Sequence, residues 1–406
     1  MKQLQQLINQ MCPNGVEWKT LGEVCEIITK GTTPHSFTDN GIAFIKTEAF
    51  LENGIDKNKL SFIDEETHNG FLKRSILKEN DILFAIAGSI GKCVVVNKSI
   101  LPANTNQALA IIRLKSSVLY RFVFYVLKSM IMTSYIEKKC KTSGQPNLTL
   151  ELIRDFQIPL PPLAIQSRIV EILDNFTNLT ANLAAELNLR RKQFEHYREK
   201  LLSLDGEEDV EWKKVGEVCE IHGRIGWQGL TKKDYRTTGK YLLVTGTDFL
   251  SSNKINYNTC VYVDEDRYTQ DKYIQLKEND LLITKDGTIG KLAIVQDLPM
   301  PATLNGGVFV IRDKTKTLDH RFLMYIMASS HFKNQIEKKH TNGTIKHLTQ
   351  NLLVSYAIPV PPLATQHSIV SILDKFTALI ENIEKELALR QKQYEYYREE
   401  LLRFGS

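Results

Sequence analysis

Two near-identical pentapeptides, Gly88-Ser89-Ile90-Gly91-Lys92 and Gly287-Thr288-Ile289-Gly290-Lys291, join glycines to a lysine as a phosphate-cradling loop would. Such a loop needs a further glycine separated by four residues from the Gly-Lys pair and a Ser or Thr after it to hold magnesium. Here the first place holds Ile86 or Lys285 and the last holds Cys93 or Leu292. The pentapeptides therefore read as tight turns between strands, with Lys92 and Lys291 placed to meet a nucleic-acid phosphate. A close carboxylate pair also occurs twice, Glu79 with Asp81 and Glu278 with Asp280, in a polar turn that reads as solvated more readily than as an acid/base pair. No Asn/Asp-Pro-Pro-aromatic, Gly-x-Ser-x-Gly or His-Glu-x-x-His motif is present, so the chain reads as non-catalytic. Its six cysteines show neither Cys-x-x-Cys spacing nor a paired His run, and are read as reduced, mostly buried thiols of a cytoplasmic protein with no metal site.

The polar segments left over suit recognition better than catalysis. Thr29-Lys30-Gly31-Thr32-Thr33-Pro34-His35-Ser36 and Gly223-Arg224-Ile225-Gly226-Trp227-Gln228-Gly229-Leu230-Thr231-Lys232-Lys233 each follow a Cys-Glu-Ile segment. Arg and Gln can bond bidentately to guanine or adenine edges, Lys and Thr position phosphates, and glycine lets backbone approach a duplex. Lys30, Gly31, Thr32, Thr33, His35 and Ser36, with Arg224, Trp227, Gln228, Lys232 and Lys233, are thus candidate DNA contacts. A solvated turn is the alternative for each segment, and packing is the alternative to base stacking for Trp227. A second polar segment, Thr142-Ser143-Gly144-Gln145-Pro146-Asn147, has its counterpart in Asn342-Gly343-Thr344-Ile345-Lys346-His347. Ser143, Gln145, Asn147, Asn342 and Lys346 could line a DNA groove, or these segments could simply lead into helix caps at Thr149 and Thr349.

The elements that must position these residues come in two copies. Residues 158–177, IPLPPLAIQSRIVEILDNFT, return as IPVPPLATQHSIVSILDKFT at 358–377, a displacement of 200 in a chain of 406. Glu17-Trp18-Lys19 and Gly22-Glu23-Val24-Cys25-Glu26-Ile27 return at an offset of 194, and the pentapeptides at 199. One unit has been duplicated whole. Residues 28–78 and 222–277 scarcely align, the pattern of one scaffold reading two different targets.

Within each unit, alternating apolar segments predict strands at 41–45, 81–86, 93–96 and 109–114, and at 240–244, 280–283, 292–295 and 308–311. One helix is expected over 118–139 and its counterpart over 318–339, giving a mixed α/β domain. A Pro-Pro step, Pro161-Pro162 or Pro361-Pro362, then starts a long helix. Its apolar residues follow a heptad seam, Ile169, Ile172, Phe176, Leu179 and Leu183 in the first copy, Ile369, Ile372, Phe376, Leu379 and Ile383 in the second. Two such helices would bury their seams on each other as an antiparallel coiled coil, each roughly 60 Å long. The expected organisation is a first domain at 1–162, a helix at 163–203, an acidic linker at 204–211, a second domain at 212–362 and a helix at 363–403. The second helix would return to the first domain, so the chain should nearly close into a ring that tolerates circular permutation at Gly206.

With 42% hydrophobic and 24% charged residues the composition reads as that of an ordinary globular protein, and the net charge of +5 permits nucleic-acid binding without requiring it. No apolar run of about 18 residues appears, so neither secretion nor membrane spanning is expected.

The two Ile-Pro-x-Pro-Pro-Leu-Ala-x-Gln segments, the paired Gly-[Ser/Thr]-Ile-Gly-Lys turns, Gly31-Thr32-Thr33-Pro34 and Arg224-Ile225-Gly226-Trp227 recur in an order that resembles the specificity subunits of type I restriction-modification systems. The resemblance covers essentially the whole chain, and departs at Ile165 and Thr365, where many relatives carry Glu before the helix Gln. It implies a non-enzymatic subunit whose two target recognition domains each read half of a bipartite double-stranded DNA site, with the helices as spacer. It implies docking of two adenine-N6 methyltransferase subunits that use S-adenosylmethionine, and of ATP- and magnesium-dependent restriction subunits, with no cofactor on this chain. Dissimilar readers imply an asymmetric site.

Overall fold

The computed structural model describes residues 2–52, 54–143, 147–341 and 347–404. The chain divides into two compact units, Met1–Ala184 with Glu386–Ser406, and Ala185–Lys385.

In the first unit, strands Cys25–Lys30, Leu109–Leu114, Ile82–Ala85 and Cys93–Val95 form an antiparallel sheet in that spatial order. A second sheet orders Ser61–Ile63, Ile42–Ile45 and Ala103–Thr105, the last two running parallel. The period of two along a strand explains how one sheet serves two cores. Leu83, Ala85, Leu109 and Ile111 meet Ala43, Ile45 and Ala103 of the second sheet. Ile82, Phe84, Ala110 and Ile112 turn the other way, onto Phe122, Val123 and Val126 of helix Tyr120–Leu127. Both faces are buried, so these strands read as apolar runs rather than as half-polar alternation.

The second unit repeats the plan. Cys219–His222, Val308–Asp313, Leu281–Thr284 and Leu292–Ile294 make the four-stranded sheet, and Val261–Val263, Tyr241–Val244 and Ala302–Leu304 the three-stranded one. The fold is thus mixed α/β in both units, with two long helices, Leu163–Leu202 and Leu363–Leu402.

One expectation fails in both copies. The helix predicted over 118–139 is two helices, Tyr120–Leu127 and Met130–Ser143, and its counterpart is His320–Ala328 and Ser330–Thr341. Ser129 and Ser329 make the break: the Ser129 hydroxyl turns back to Val126 O (2.7 Å) and accepts the Ile131 N–H (3.3 Å), while the Ser329 hydroxyl accepts the Phe332 N–H (3.3 Å). A serine hydroxyl that bonds local backbone competes with helix continuation and starts a new helix instead.

The Pro-Pro steps are followed by a buried glutamine that ties each long helix to its domain. Gln166 donates to Pro161 O (2.8 Å) and accepts the Leu119 N–H (3.1 Å). Gln366 donates to Pro361 O and Thr317 O (both 2.8 Å) and accepts the Asp319 N–H (2.8 Å).

The apolar residues of the long helices divide between two tasks. Ile165, Ile169 and Leu173, spaced by four, are fully buried in the first domain's core, whereas Phe176 stacks on Tyr397 of the other long helix at 5.3 Å. In the second unit Ile369 and Leu373 enter the core and Phe376 stacks on Tyr197 at 5.4 Å. In each unit, then, the start of one long helix meets the end of the other, which is antiparallel packing. Leu183 is half-buried and Ile383 buried. Ile172 lies at the core's margin, and Ile372, Leu179 and Leu379 are exposed, so the inferred single seam merged a domain-facing stripe with a helix-facing one. Leu173 and Leu373 belong to the domain-facing stripe, each buried in its unit's core.

Cys25, Cys93 and Cys219 are free and buried, and burial pushes each thiol up to about 12, which makes them inert. Among the described residues no helix is long and apolar enough to cross a membrane, and no group of His, Cys, Asp and Glu could hold a metal ion.

Candidate nucleic-acid interface

Segments distant in sequence meet at one end of each four-stranded sheet. In the first unit the centre is the 106–108 turn, which joins strands Ala103–Thr105 and Leu109–Leu114. The Gly31 N–H donates to Leu109 O (3.2 Å), the Thr32 N–H to Thr105 O (3.1 Å), and the Ile86 N–H to Ala108 O (2.9 Å). The Leu148 N–H in turn donates to Ile86 O (2.9 Å). Backbone bonds alone therefore draw the 31–36 segment, the start of the 86–92 hairpin turn and the residues after position 146 to one polar edge. In the second unit the 305–307 turn takes this place: the Lys285 N–H donates to Gly307 O and the Leu348 N–H to Lys285 O, both at 2.9 Å.

The hairpin turns show why their glycines are needed. Gly88 and Gly91 have φ of +70° and +89°, and the turn closes by an Ala85 N–H bond to Lys92 O (2.8 Å). Ile90 anchors the turn in the core and leaves Lys92 exposed; Ile289 and Lys291 repeat the arrangement. The preceding Glu-Asn-Asp motif is structural. Asn80 takes φ of +70°, and Asp81 is not solvated but buried, bonded to Arg113 Nε (2.8 Å) and Nη2 (2.7 Å) and to the Lys78 N–H (2.7 Å). Asp280 and Arg312 form the same pair. With both carboxylate oxygens bonded to Arg113 of strand Leu109–Leu114, Asp81 fastens this turn to the sheet.

Among the candidates of the first unit, Lys30, Thr32, Thr33, His35 and Ser36 are exposed. Gly31 is buried, and a Cβ there would lie 2.0 Å from Thr105 O, so its close approach is to its own chain. The Thr33 hydroxyl donates to Gln107 Oε1, and the His35 ring lies 4.6 Å from that of the exposed Phe71. Asn147 is exposed; Gln145 lies outside the described residues, as does the side chain of Ser143.

The second unit distributes its candidates differently. Lys232 and Lys233 are exposed. Arg224 is 3% exposed, and its five N–H groups meet Leu304 O (2.6 Å), Gln270 Oε1 (2.9 Å), Gln228 O (3.4 Å), Arg267 O (3.0 Å) and Thr303 Oγ1 (3.3 Å). Burial, with Arg267 nearby, pushes this guanidinium down from its ordinary value. With every donor used, Arg224 pins the root of its loop and offers no fork outward. Gln228 is likewise buried, donating to Asp271 Oδ2 (3.2 Å) and accepting the Ile225 N–H (3.2 Å). The side chain of Trp227, and Asn342 and Lys346 altogether, lie outside the described residues. His347, beside them, pairs with Asp286.

Gly306-Gly307 marks the 305–307 turn in the sequence, whereas nothing comparable marks the 106–108 turn. Two features could have drawn attention to them: each follows a short strand, and each immediately precedes an apolar one.

A family model for the type I restriction modification DNA specificity domain matches residues 13–189 and again 207–389. The EcoR124I/EcoR124II specificity subunit of Escherichia coli is 32% identical over 309 residues, 71% of this chain and 72% of the relative. A putative type I specificity subunit of Haemophilus influenzae, S.HindORF215P, is 29% identical over 96% of each chain. Among solved structures, one concerned with assembly and conformational transition of the type I R-M system is similar at a TM-score of 0.64 and 18% identity, covering 96% of this chain and 98% of that one. The type I S subunit of M. genitalium is similar at a TM-score of 0.58 and 15% identity, covering 96% and 97%. At these identities the solved structures speak to the fold alone.

Proposed function

The chain belongs to the type I restriction-modification specificity subunit family, the non-catalytic part of the system that recognises the DNA target, and we propose that its two units read unlike halves of one bipartite site. The observation that carries this reading is the polar edge found in both units, where two matching backbone bonds (Ile86 N–H to Ala108 O with Leu148 N–H to Ile86 O, and Lys285 N–H to Gly307 O with Leu348 N–H to Lys285 O) carry different side chains. The first edge offers Lys30, Thr32, Thr33, His35, Ser36 and Lys92, with Asn147 alongside. The second offers Lys232, Lys233 and Lys291, with Arg224 and Gln228 holding the loop from within.

A shared frame with unlike furnishing requires unlike half-sites, so the full site is asymmetric. The 40-residue helices, each about 60 Å long, set the unread spacer between the halves and dock two adenine-N6 methyltransferase subunits. S-adenosylmethionine belongs to those subunits, and ATP with magnesium to a restriction subunit.

Single-molecule sequencing of methylated adenines, in a host expressing this chain with its methyltransferase partner, tests the reading. A bipartite motif with two different halves is expected. Identical halves, or no change in methylation when this chain is supplied, would overturn it.

A further inference from the structure

At the centre of the first polar edge, Gln107 is exposed and its Oε1 accepts the Thr33 hydroxyl. No other bond engages its carboxamide among the described residues. Oε1 therefore keeps a second lone pair, and Nε2 keeps its hydrogens. An acceptor and a donor side by side match the N6–H and N7 of adenine in the major groove.

The support beneath this carboxamide is rigid. The Gly31 and Thr32 N–H groups bond Leu109 O (3.2 Å) and Thr105 O (3.1 Å), and Asn106 Oδ1 accepts the Ala108 N–H (3.2 Å) within the turn. Thr33 thus reaches Gln107 from a backbone that is itself fixed on both sides of the contact. A reading side chain held by a neighbour and a locked backbone is preorganised for its base.

Among the described residues the second unit shows no equivalent. Gly306 stands where the first unit has Gln107. The adjacent Asn305 is spent internally, donating to Tyr235 Oη (3.2 Å) and accepting the Gly306 N–H (2.6 Å).

We propose that Gln107, oriented by Thr33, is a base-reading residue of the first unit and that the base it reads is adenine. The proposal rests on the DNA-reading role argued above and names one determinant of it. A glutamine that merely braced the 31–36 segment would weaken the first half-site at all its positions alike, because the loop as a whole would loosen.

The test uses the full chain with its methyltransferase partner and maps methylated adenines by single-molecule sequencing. Gln107→Ala is expected to relax one A·T position in one half-site by about tenfold or more, with the other half-site and the spacer unchanged. Gln107→Glu, similar in size but lacking the amide donor, is expected to shift that position toward C·G, since a carboxylate accepts from cytosine N4. Thr33→Val should loosen the same position by a smaller factor. Uniform loss of methylation with the motif intact, relaxation at a G·C position, or no change of any kind overturns the proposal. If the parent chain directs no bipartite methylation, the functional reading falls, and this proposal with it.

Discussion

Glu199 Oε1 accepts the backbone N–H of Ser330 at 3.0 Å, and its Oε2 accepts the Ser330 hydroxyl at 2.7 Å. The first unit repeats the device, with the Met130 N–H donating to Glu399 Oε2 at 2.8 Å. Each carboxylate lies near the C-terminus of a long helix and caps the N-terminus of a domain helix, where unpaired N–H groups and the helix dipole favour negative charge.

Glu199→Gln should therefore destabilise the protein, by less than about 1 kcal/mol once solvent screening is allowed for. Burial raises the Glu199 carboxyl, but Arg198 and the two Ser330 donors outweigh it and hold the group below its ordinary 4.5. A lowered folded-state value means that this contribution is present above pH 4.5 and lost as pH falls through the folded value. Thermal unfolding of parent and variant should differ at pH 7 and converge in acid. A gap that persists in acid would contradict the assignment.

The buried pair of Asp81 and Arg113 makes a sharper demand. Asp81→Ala strands a cation and should cost about 3–5 kcal/mol in urea unfolding, whereas Glu79→Ala, at an exposed position, should stay within about 0.5 kcal/mol. Equal effects would return the motif to the solvated turn that its sequence suggests.

Gly31→Ala should disturb the first reader. The added Cβ would meet Thr105 O at 2.0 Å, so the 31–36 segment must shift, at about 1–3 kcal/mol. Gly226→Ala, with nothing within 4 Å, is the control. Methylation mapping should find the first half-site impaired only in the former.

Removing seven residues around Leu183 together with seven around Ile383 shortens each helix by about 10 Å, or about three base pairs of B-DNA. Both half-sites should survive with a correspondingly shorter spacer. An unchanged spacer in the methylation map would remove the helices from that role.

Circular permutation reads out a feature of the first unit. Leu4 of helix Lys2–Met11 shares a core cluster with Leu401, Leu402 and Phe404, so the two ends are already packed together. A chain opened at Gly206, with those ends joined, should fold and direct the same methylation; one that only aggregates would count against it.

The scaffold was legible because it is written in long repeats. Apolar runs mark the strands, and the Pro-Pro steps mark where the long helices start. The parallel pairing of Ile42–Ile45 with Ala103–Thr105 was not legible, since it joins short strands some sixty residues apart. Nor was the break at Ser129, because a mid-helix serine reveals its hydroxyl's partner only in three dimensions. Side-chain direction was the largest gap: Arg224 and Thr33 both sit in polar, glycine-containing loops, yet one points inward and the other outward.

The 106–108 turn is fastened to its neighbours by main-chain bonds at Thr105, Ala108 and Leu109, which any ordinary side chains would leave intact. Replacing residue 107 therefore puts little stability at risk, and under the role proposed for Gln107 a single substitution there would change the base read. The second edge is bolted through the Arg224 side chain, where one change strands several acceptors at once. The two readers should consequently drift at different rates under selection for new targets, the first by point substitution and the second by exchange of whole segments.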